Sequence, residues 1–293
     1  MQVFSATSIG NSLAMRSHRL SFTVALTCIS RALMLRDQLF DVVPKRLRIR
    51  AAGVGLSQTF IPNGKNRLDV VFVQPTAAPP KAAVLILHGI GENVQRWFPV
   101  QQLLALNGVA SLVFDYSGYG RSTGRVDWSQ CEDDAVVAFE HLRRLAHPLP
   151  VSVLGFSLGS GIAAAMILRV PANRLVLCAS FTSFREGARS VGIPAALSRY
   201  VPPIWTTKES LRNCSVPVLV VHGEKDGLFP VRMARELANA CGGPAELIVV
   251  PNVAHNQPFR RPELSYWGLI VSRLVGEETG DGSRVSETGY TED

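Results

Sequence analysis

Between Leu56 and Val275, short apolar runs alternate with longer segments whose apolar positions recur at helical spacing. Leu56–Ile61 and Leu68–Gln74 read as short strands flanking Pro62-Asn63-Gly64, where the Asn-Gly pair is a strong hairpin signal. Ala82–Leu87, AAVLIL, is apolar throughout, as suits a strand buried on both faces. Next come an expected helix over Val94–Leu106, an apolar strand over Ala110–Tyr116 and a helix with a charged face over Trp128–Leu145. The pattern then predicts a strand over Val151–Gly155, a small-residue helix over Leu158–Val170 and a strand over Arg174–Ala179. It ends with a strand at Val216–Val221, a helix at Val231–Cys241, a strand at Ala245–Val250 and a helix at Pro262–Val275.

Strands separated by single helices imply the α/β class, with a mostly parallel central sheet, right-handed crossovers and helices on both faces. The alternation fails once. Residues 181–215 carry Pro194, Pro202 and Pro203 among several aromatics, and read as a short cap insertion over the carboxyl ends of the strands, where such sheets bind ligands. No internal repeat is visible. The expected organisation is a basic arm with an apolar helix over 1–53, one domain over 54–276 and a disordered acidic tail over 277–293.

Charge sharpens that division. The 293 residues carry a net charge of +7, of which 1–53 hold +6 and 277–293 hold −5. The excess of bases is therefore partly an N-terminal feature. No nucleic-acid-binding module accompanies it, so no nucleic-acid partner is expected. Leu20–Ser30 is an uncharged, mostly apolar run behind Arg16, His18 and Arg19. It is too short to span a bilayer. A packing helix, a peripheral membrane contact through residues 16–36 and an export signal are all compatible with it. The five cysteines include no CxxC pair, which argues against zinc ribbons and dithiol redox motifs. Isolated cysteines fit a reducing cytoplasm, with or without membrane association, though a partly oxidised exported protein fits the same count.

The chemistry concentrates in four places. Gly155-Phe-Ser157-Leu-Gly159 stands between an expected strand and an expected helix. A serine on that tight turn needs almost no side chain two residues either side, and the helix N-terminus then points free N–H groups at a reacting oxygen. Ser157 is the expected nucleophile, and the amide of Leu158 one expected oxyanion donor. A serine hydroxyl needs a base, and the base an orienting carboxylate, in the chain order Ser, acid, His. Asp226 lies in the turn after the Val216–Val221 strand. Glu224 competes with it but sits closer to the strand end. His255 follows the last strand in Pro251-Asn-Val-Ala-His255 and is the expected base. His222, at a strand end, reads as structural. Leu87-His-Gly-Ile-Gly-Glu-Asn93 follows the third strand, and its glycines permit a sharp turn that offers the Ile90 amide as the second oxyanion donor. It lacks the phosphate-binding glycine patterns. His88, and Asp115, Arg121 and Ser122 in the next loop, are expected to hold these loops together.

Taken in order, HGIGEN, DYSGYGRS, GFSLG, HGEKDGLFP and NVAHN resemble the α/β-hydrolase family over about residues 56–275. The resemblance is closest to its serine aminopeptidase/monoacylglycerol-lipase-like branch, and extends to membrane-associated serine hydrolases of the Bem46 type. Ile90 in the oxyanion loop, and Asn252-Val253-Ala254 before the histidine, are bulkier than that pattern usually shows.

The expected function is cleavage of a small-molecule ester or acyl substrate by a serine hydrolase of carboxylesterase or lipase type. The triad would be Ser157, His255 and Asp226, acting through an acyl-enzyme, with no metal or cofactor. A thioesterase or serine peptidase would use the same triad, and a non-catalytic ligand-binding protein would use the same fold. Phe181, Phe184, Tyr200 and Trp205 in the cap are the expected substrate-binding residues.

Overall fold

The computed structural model describes residues 52–276. Eight strands form one sheet: β1 (Val54–Asn63), β2 (Asn66–Pro75), β3 (Ala82–Leu87), β4 (Val109–Phe114), β5 (Val151–Phe156), β6 (Leu175–Cys178), β7 (Val218–Gly223) and β8 (Ala245–Val250). Their spatial order is β1-β2-β4-β3-β5-β6-β7-β8. β1 pairs antiparallel with β2, and β2 with β4, while every later pairing is parallel.

The helices are α1 (Val94–Leu106), α2 (Trp128–Ala146), α3 (Leu158–Met166), α4 (Phe184–Ser190), α5 (Thr207–Arg212), α6 (Val231–Ala240), α7 (Gln257–Arg260) and α8 (Leu264–Leu274). Alternation along the strands sends side chains to two cores. Leu85, Leu87, Leu112, Phe114 and Val153 meet Phe139 of α2, Ile162 of α3 and Leu237 of α6 on one face. Val84, Ile86, Val113, Leu154 and Phe156 meet Trp97 of α1 and Trp267 of α8 on the other. Every residue of β3, β4, β5 and β7 is buried. This explains why apolar residues dominate those strands, with Ser111, Ser152 and His222 as the polar exceptions.

Polar side chains start the helices. Asn93 caps α1 by accepting from the amides of Gln95 and Arg96, and Asp127 caps α2 through Ser129. Several boundaries differ from the sequence expectation. Pro62 and Asn63 belong to β1, because Pro62 pairs with Arg67 and Asn63 with Asn66, so the hairpin loop is Gly64-Lys65. Gly64 has φ 57°, a conformation glycine adopts without steric cost. The helix expected over Leu158–Val170 stops at Met166 and continues as a 3-10 turn, Ile167–Arg169. The last helix begins at Leu264, after the separate short α7.

The segment expected to be a cap splits in two. α4 and the 3-10 turn Ser198–Tyr200 form the overhanging part, whereas α5 packs beside α3 and α6 in the layer flanking the sheet. No helix among the described residues is long and apolar enough to cross a membrane. The apolar run and membrane contact expected within 1–51, and the acidic tail over 277–293, lie outside the described residues.

Candidate active site

β5 ends at Phe156 and α3 starts at Leu158, leaving Ser157 alone in the turn. Its backbone has φ 54° and ψ −118°, a strained conformation for a residue with a side chain. Neighbouring contacts hold it there. The Ser157 amide donates to the Cys178 carbonyl at 3.0 Å, and the Ser160 amide donates to the Ser157 carbonyl at 2.9 Å. A Cβ on Gly155 would lie 2.6 Å from the Ser160 Cα, and one on Gly159 would fall on the Leu87 carbonyl. Glycine two residues either side of Ser157 is thus the condition for α3 to pack this close to β3 and β5.

Asp226 sits in the turn between β7 and α6. Its Oδ1 accepts from the amides of Leu228 and Phe229 at 2.9 and 2.8 Å, which fixes the carboxylate. Its Oδ2 lies 2.7 Å from His255 Nδ1, and His255 Nε2 lies 3.0 Å from Ser157 Oγ. An ionised carboxylate can only accept. Nδ1 therefore carries the ring proton, and Nε2 is left to accept from the Ser157 hydroxyl. Burial pulls the Asp226 carboxyl upward, but the hydrogen bond and charge of His255, the Phe229 amide and His222 outweigh it and bring it below its ordinary value. Phe229 stands edge-on to the His255 ring at 5.2 Å. Glu224 is exposed and accepts the Asn252 amide instead, so it braces the loop that leads to His255. His222 is buried and donates through Nε2 to the Phe229 carbonyl at 2.9 Å, steadying the turn that carries Asp226.

The loop after β3 is pinned from several sides. His88 donates through Nδ1 to the Gly89 carbonyl at 2.8 Å, and Tyr116 donates its hydroxyl to the His88 carbonyl. Burial pushes His88 down to about 4, so its ring is neutral at physiological pH. Glu92 Oε2 accepts both the Gly89 amide and the Trp97 indole N–H, each at 2.8 Å. Burial pushes Glu92 up to about 7. Asp115 accepts the first amide of α1 at 2.9 Å, and burial pushes it, too, up to about 7. Ser122 bridges the Asp69 amide and the Asp115 carbonyl, and Arg121 lies 3.8 Å from Asp69. Asp115, Arg121 and Ser122 thus join β2, β4 and α1 behind the site.

At Ser157 opens a cavity that is continuous with solvent. Ser157, His255, Ile90 and Leu158 all reach it. Phe181, Phe184, Ala188, Val191, Leu228 and Phe229 give it an apolar lining from the cap and the Asp226 turn. Glu92, Arg96, Asn256 and Arg260 supply a polar part, near where Trp97 of α1 meets Phe259 of α7, itself in the lining, at 5.2 Å between rings.

The structure therefore brings together Ser157, Asp226 and His255, with Ile90, Leu158, Phe181 and Phe184 around the same cavity. Tyr200 and Trp205, expected to bind substrate, do not line it. Tyr200 is 52 % exposed on the cap surface beneath the Arg199 guanidinium. Trp205 turns inward, edge-on to Trp128 and Phe184, and donates its indole N–H to Glu132 at 2.9 Å. Its aromatic surface closes the core beneath the cap. The sequence reading missed Glu92, Arg96, Val191, Leu228, Phe229, Asn256, Phe259 and Arg260. Chain proximity was the available signal for most of them, since Leu228 and Phe229 follow Asp226 and Asn256 to Arg260 follow His255.

The four described cysteines are free thiols. Among the described residues no cluster of three or more His, Cys, Asp or Glu is arranged to hold a metal ion.

Residues 78–203 match the family model described as serine aminopeptidase, S33. An uncharacterized protein of Mycobacterium tuberculosis is 31 % identical over 198 residues, covering 66 % of this chain and 69 % of its own. Lysophosphatidylserine lipase ABHD12 of Mus musculus is 28 % identical over 192 residues, covering 58 % of this chain. The match spans only 48 % of that lipase. Among solved structures, Est1E from Butyrivibrio proteoclasticus with ferulic acid bound superposes with a TM-score of 0.64 at 18 % identity. That superposition covers 75 % of this chain and 98 % of the other, and it shows a shared fold.

Proposed function

This chain belongs to the α/β-hydrolase superfamily and is a hydrolase, and from that premise we propose that it cleaves carboxylic esters of apolar acids through Ser157, His255 and Asp226. One observation carries the reading. Ser157 Oγ, His255 and Asp226 form a continuous line of hydrogen bonds, 3.0 and 2.7 Å long, at the floor of a largely apolar cavity.

In this reading His255 Nε2 takes the Ser157 proton as Oγ attacks the acyl carbon. The Asp226 carboxylate holds the imidazole in the tautomer that leaves Nε2 free to accept, and stabilises the imidazolium that forms. The amides of Ile90 and Leu158 receive the negative charge that develops on the carbonyl oxygen, and each such donor is typically worth about 3 kcal/mol of barrier. His255 then gives its proton to the leaving alcohol. Water, activated by the same imidazole, releases the acid from Ser157. Phe181, Phe184 and Phe229 bound the space for the acyl group.

The test is fluorophosphonate labelling beside hydrolysis of p-nitrophenyl esters from acetyl to palmitoyl, with thioester and aminoacyl-amide probes of matched chain. Wild type should label and turn over esters fastest. Ser157→Ala should not label, and should lose about 10⁴-fold or more in kcat, as when a triad nucleophile is removed. Ester turnover by Ser157→Ala within tenfold of wild type refutes the proposal, and faster amide or thioester turnover moves it to those substrates.

A further inference from the structure

Two successive peptides after β3 are held at every polar atom but one. The His88–Gly89 peptide donates its N–H to Glu92 Oε2 at 2.8 Å, and its carbonyl accepts the Tyr116 hydroxyl at 3.1 Å. The carbonyl of the Gly89–Ile90 peptide accepts from His88 Nδ1 at 2.8 Å and from the Glu92 amide at 3.4 Å. The carbonyl and N–H of a trans peptide point in opposite directions. The Ile90 N–H is therefore turned away from these anchors, and Ile90 lines the cavity. Among the described residues no acceptor takes that N–H. The same holds for Leu158, which as the first residue of α3 has no intrahelical partner for its amide.

Of the side chains that anchor this loop, Glu92 reaches furthest into its surroundings. The Oε2 that accepts the Gly89 amide also accepts the Trp97 indole N–H, at 2.8 Å. Trp97 packs edge-on against Phe156, 5.6 Å between ring centres, and Phe156 lies 5.7 Å from the His255 ring. Phe156 is also the residue before Ser157. One oxygen thus ties the oxyanion loop to the aromatic bed beneath nucleophile and base. Glycine at 89 permits the approach, since a Cβ there would stand 2.8 Å from Glu92 Oε1. A buried N–H without an acceptor is costly, so a loop that lost this one would shift to satisfy it.

We propose that Glu92 is a positioning residue of the oxyanion loop: by accepting the Gly89 and Trp97 N–H groups on one oxygen, it holds the Ile90 N–H where the substrate carbonyl oxygen becomes negative. Its Oε2 is committed to those two donors, so it acts through the loop and not on the substrate. This inference rests on the esterase reading above and deepens it.

The test uses the full chain and p-nitrophenyl octanoate. Glu92→Met keeps an unbranched side chain but loses the oxygen, whereas Glu92→Gln keeps an acceptor oxygen. Acylation and deacylation both pass through an oxyanion, so a misplaced donor slows both and leaves KM nearly unchanged. In Glu92→Met, kcat should fall about 10- to 100-fold with KM within about threefold of wild type, and Glu92→Gln should retain most of the wild-type kcat. Trp97→Phe removes only the indole donor and should lower kcat severalfold. The Glu92→Met/Trp97→Phe double variant should lose no more than Glu92→Met, because the indole acts through Glu92.

A second readout isolates the oxyanion. Ser157 Oγ adds to the carbonyl carbon of octyl trifluoromethyl ketone, the hydroxyl proton passes to His255 Nε2, and the ketone oxygen becomes the oxyanion. Octyl methyl ketone serves as the ligand that binds without this addition. In Glu92→Met the inhibition constant of the trifluoromethyl ketone should rise by the factor by which kcat/KM falls, while that of the methyl ketone stays the same. A Glu92→Met kcat within about twofold of wild type overturns the inference, as does an equal loss in Glu92→Gln or an unmoved trifluoromethyl ketone constant. If Glu92→Met does not fold, Trp97→Phe decides: a severalfold loss of kcat at unchanged KM supports the inference, and a wild-type kcat overturns it. Each of these outcomes leaves the esterase reading standing. A wild type that neither cleaves the ester nor labels with fluorophosphonate overturns both.

Discussion

Glu92 offers a sharp test of how the loop after β3 is held. Replacement by glutamine removes its charge but keeps its shape, and both of its hydrogen bonds fall on one oxygen, Oε2, at 2.8 Å each. A glutamine carbonyl oxygen in that place accepts the same two N–H groups. Only the ionisation is lost. The carboxyl releases its proton near 4.5 in the unfolded chain but is pushed up to about 7 by burial in the folded one. Between those values the folded state binds more protons, so stability falls as pH rises through the window and stays low above it. At about 1.36 kcal/mol per pH unit the gap is worth roughly 3 kcal/mol in all, most of which falls between pH 5 and 8. Asp115, raised by burial as well, contributes equally to both proteins and cancels in the comparison. Urea denaturation of wild type and Glu92→Gln at pH 5 and at pH 8 measures the effect. The variant should gain about 2 to 3 kcal/mol relative to wild type on going from pH 5 to pH 8. A stability difference that is the same at both pH values refutes the assignment of a buried, raised carboxyl at this position.

Other outcomes follow from the packing. Gly159→Ala places a methyl group on the Leu87 carbonyl, a backbone atom that cannot swing aside. The cost should reach the upper part of the roughly 1–3 kcal/mol typical of overpacking, read as a lower denaturation midpoint with slower fluorophosphonate labelling. An unchanged midpoint would mean that β3 and α3 are not in close contact there. Phe184→Ala removes a ring from the apolar lining of the cavity and should shift the preferred ester toward longer acyl chains, whereas Tyr200→Ala, out on the cap surface, should leave the chain-length profile where it was. A shift produced by Tyr200→Ala alone would return that residue to the substrate site.

Much of this protein was legible in local pattern. Uninterrupted apolar runs such as Ala82–Leu87 mark strands buried on both faces, and each of them is a central strand of the sheet. Gly155-x-Ser157-x-Gly159 encodes its own turn, because the steric demand for glycine arises within five residues. Chain order and their place after a strand single out Asp226 and His255, and the structure brings both into one hydrogen-bonded line with Ser157. That logic works because a parallel sheet delivers all its strand ends to one edge.

What the sequence determined by itself was therefore the part of the molecule set by short-range sterics and by alternation of polarity: the strands, the helices, the tight serine turn and the order of the reactive groups. Tertiary structure alone decided the rest. Pro62 and Asn63 are strand residues because Arg67 and Asn66 lie opposite them. Four cap aromatics look alike in sequence, yet Phe181 and Phe184 face the cavity, Tyr200 faces solvent and Trp205 seals the core against Trp128. Glu92, Arg96 and Arg260 acquire their environment only when α1 and α7 meet through Trp97 and Phe259, 162 positions apart in the chain. Burial and charge at a site are sums over neighbours drawn from distant segments, and a linear pattern carries no record of which segments those will be.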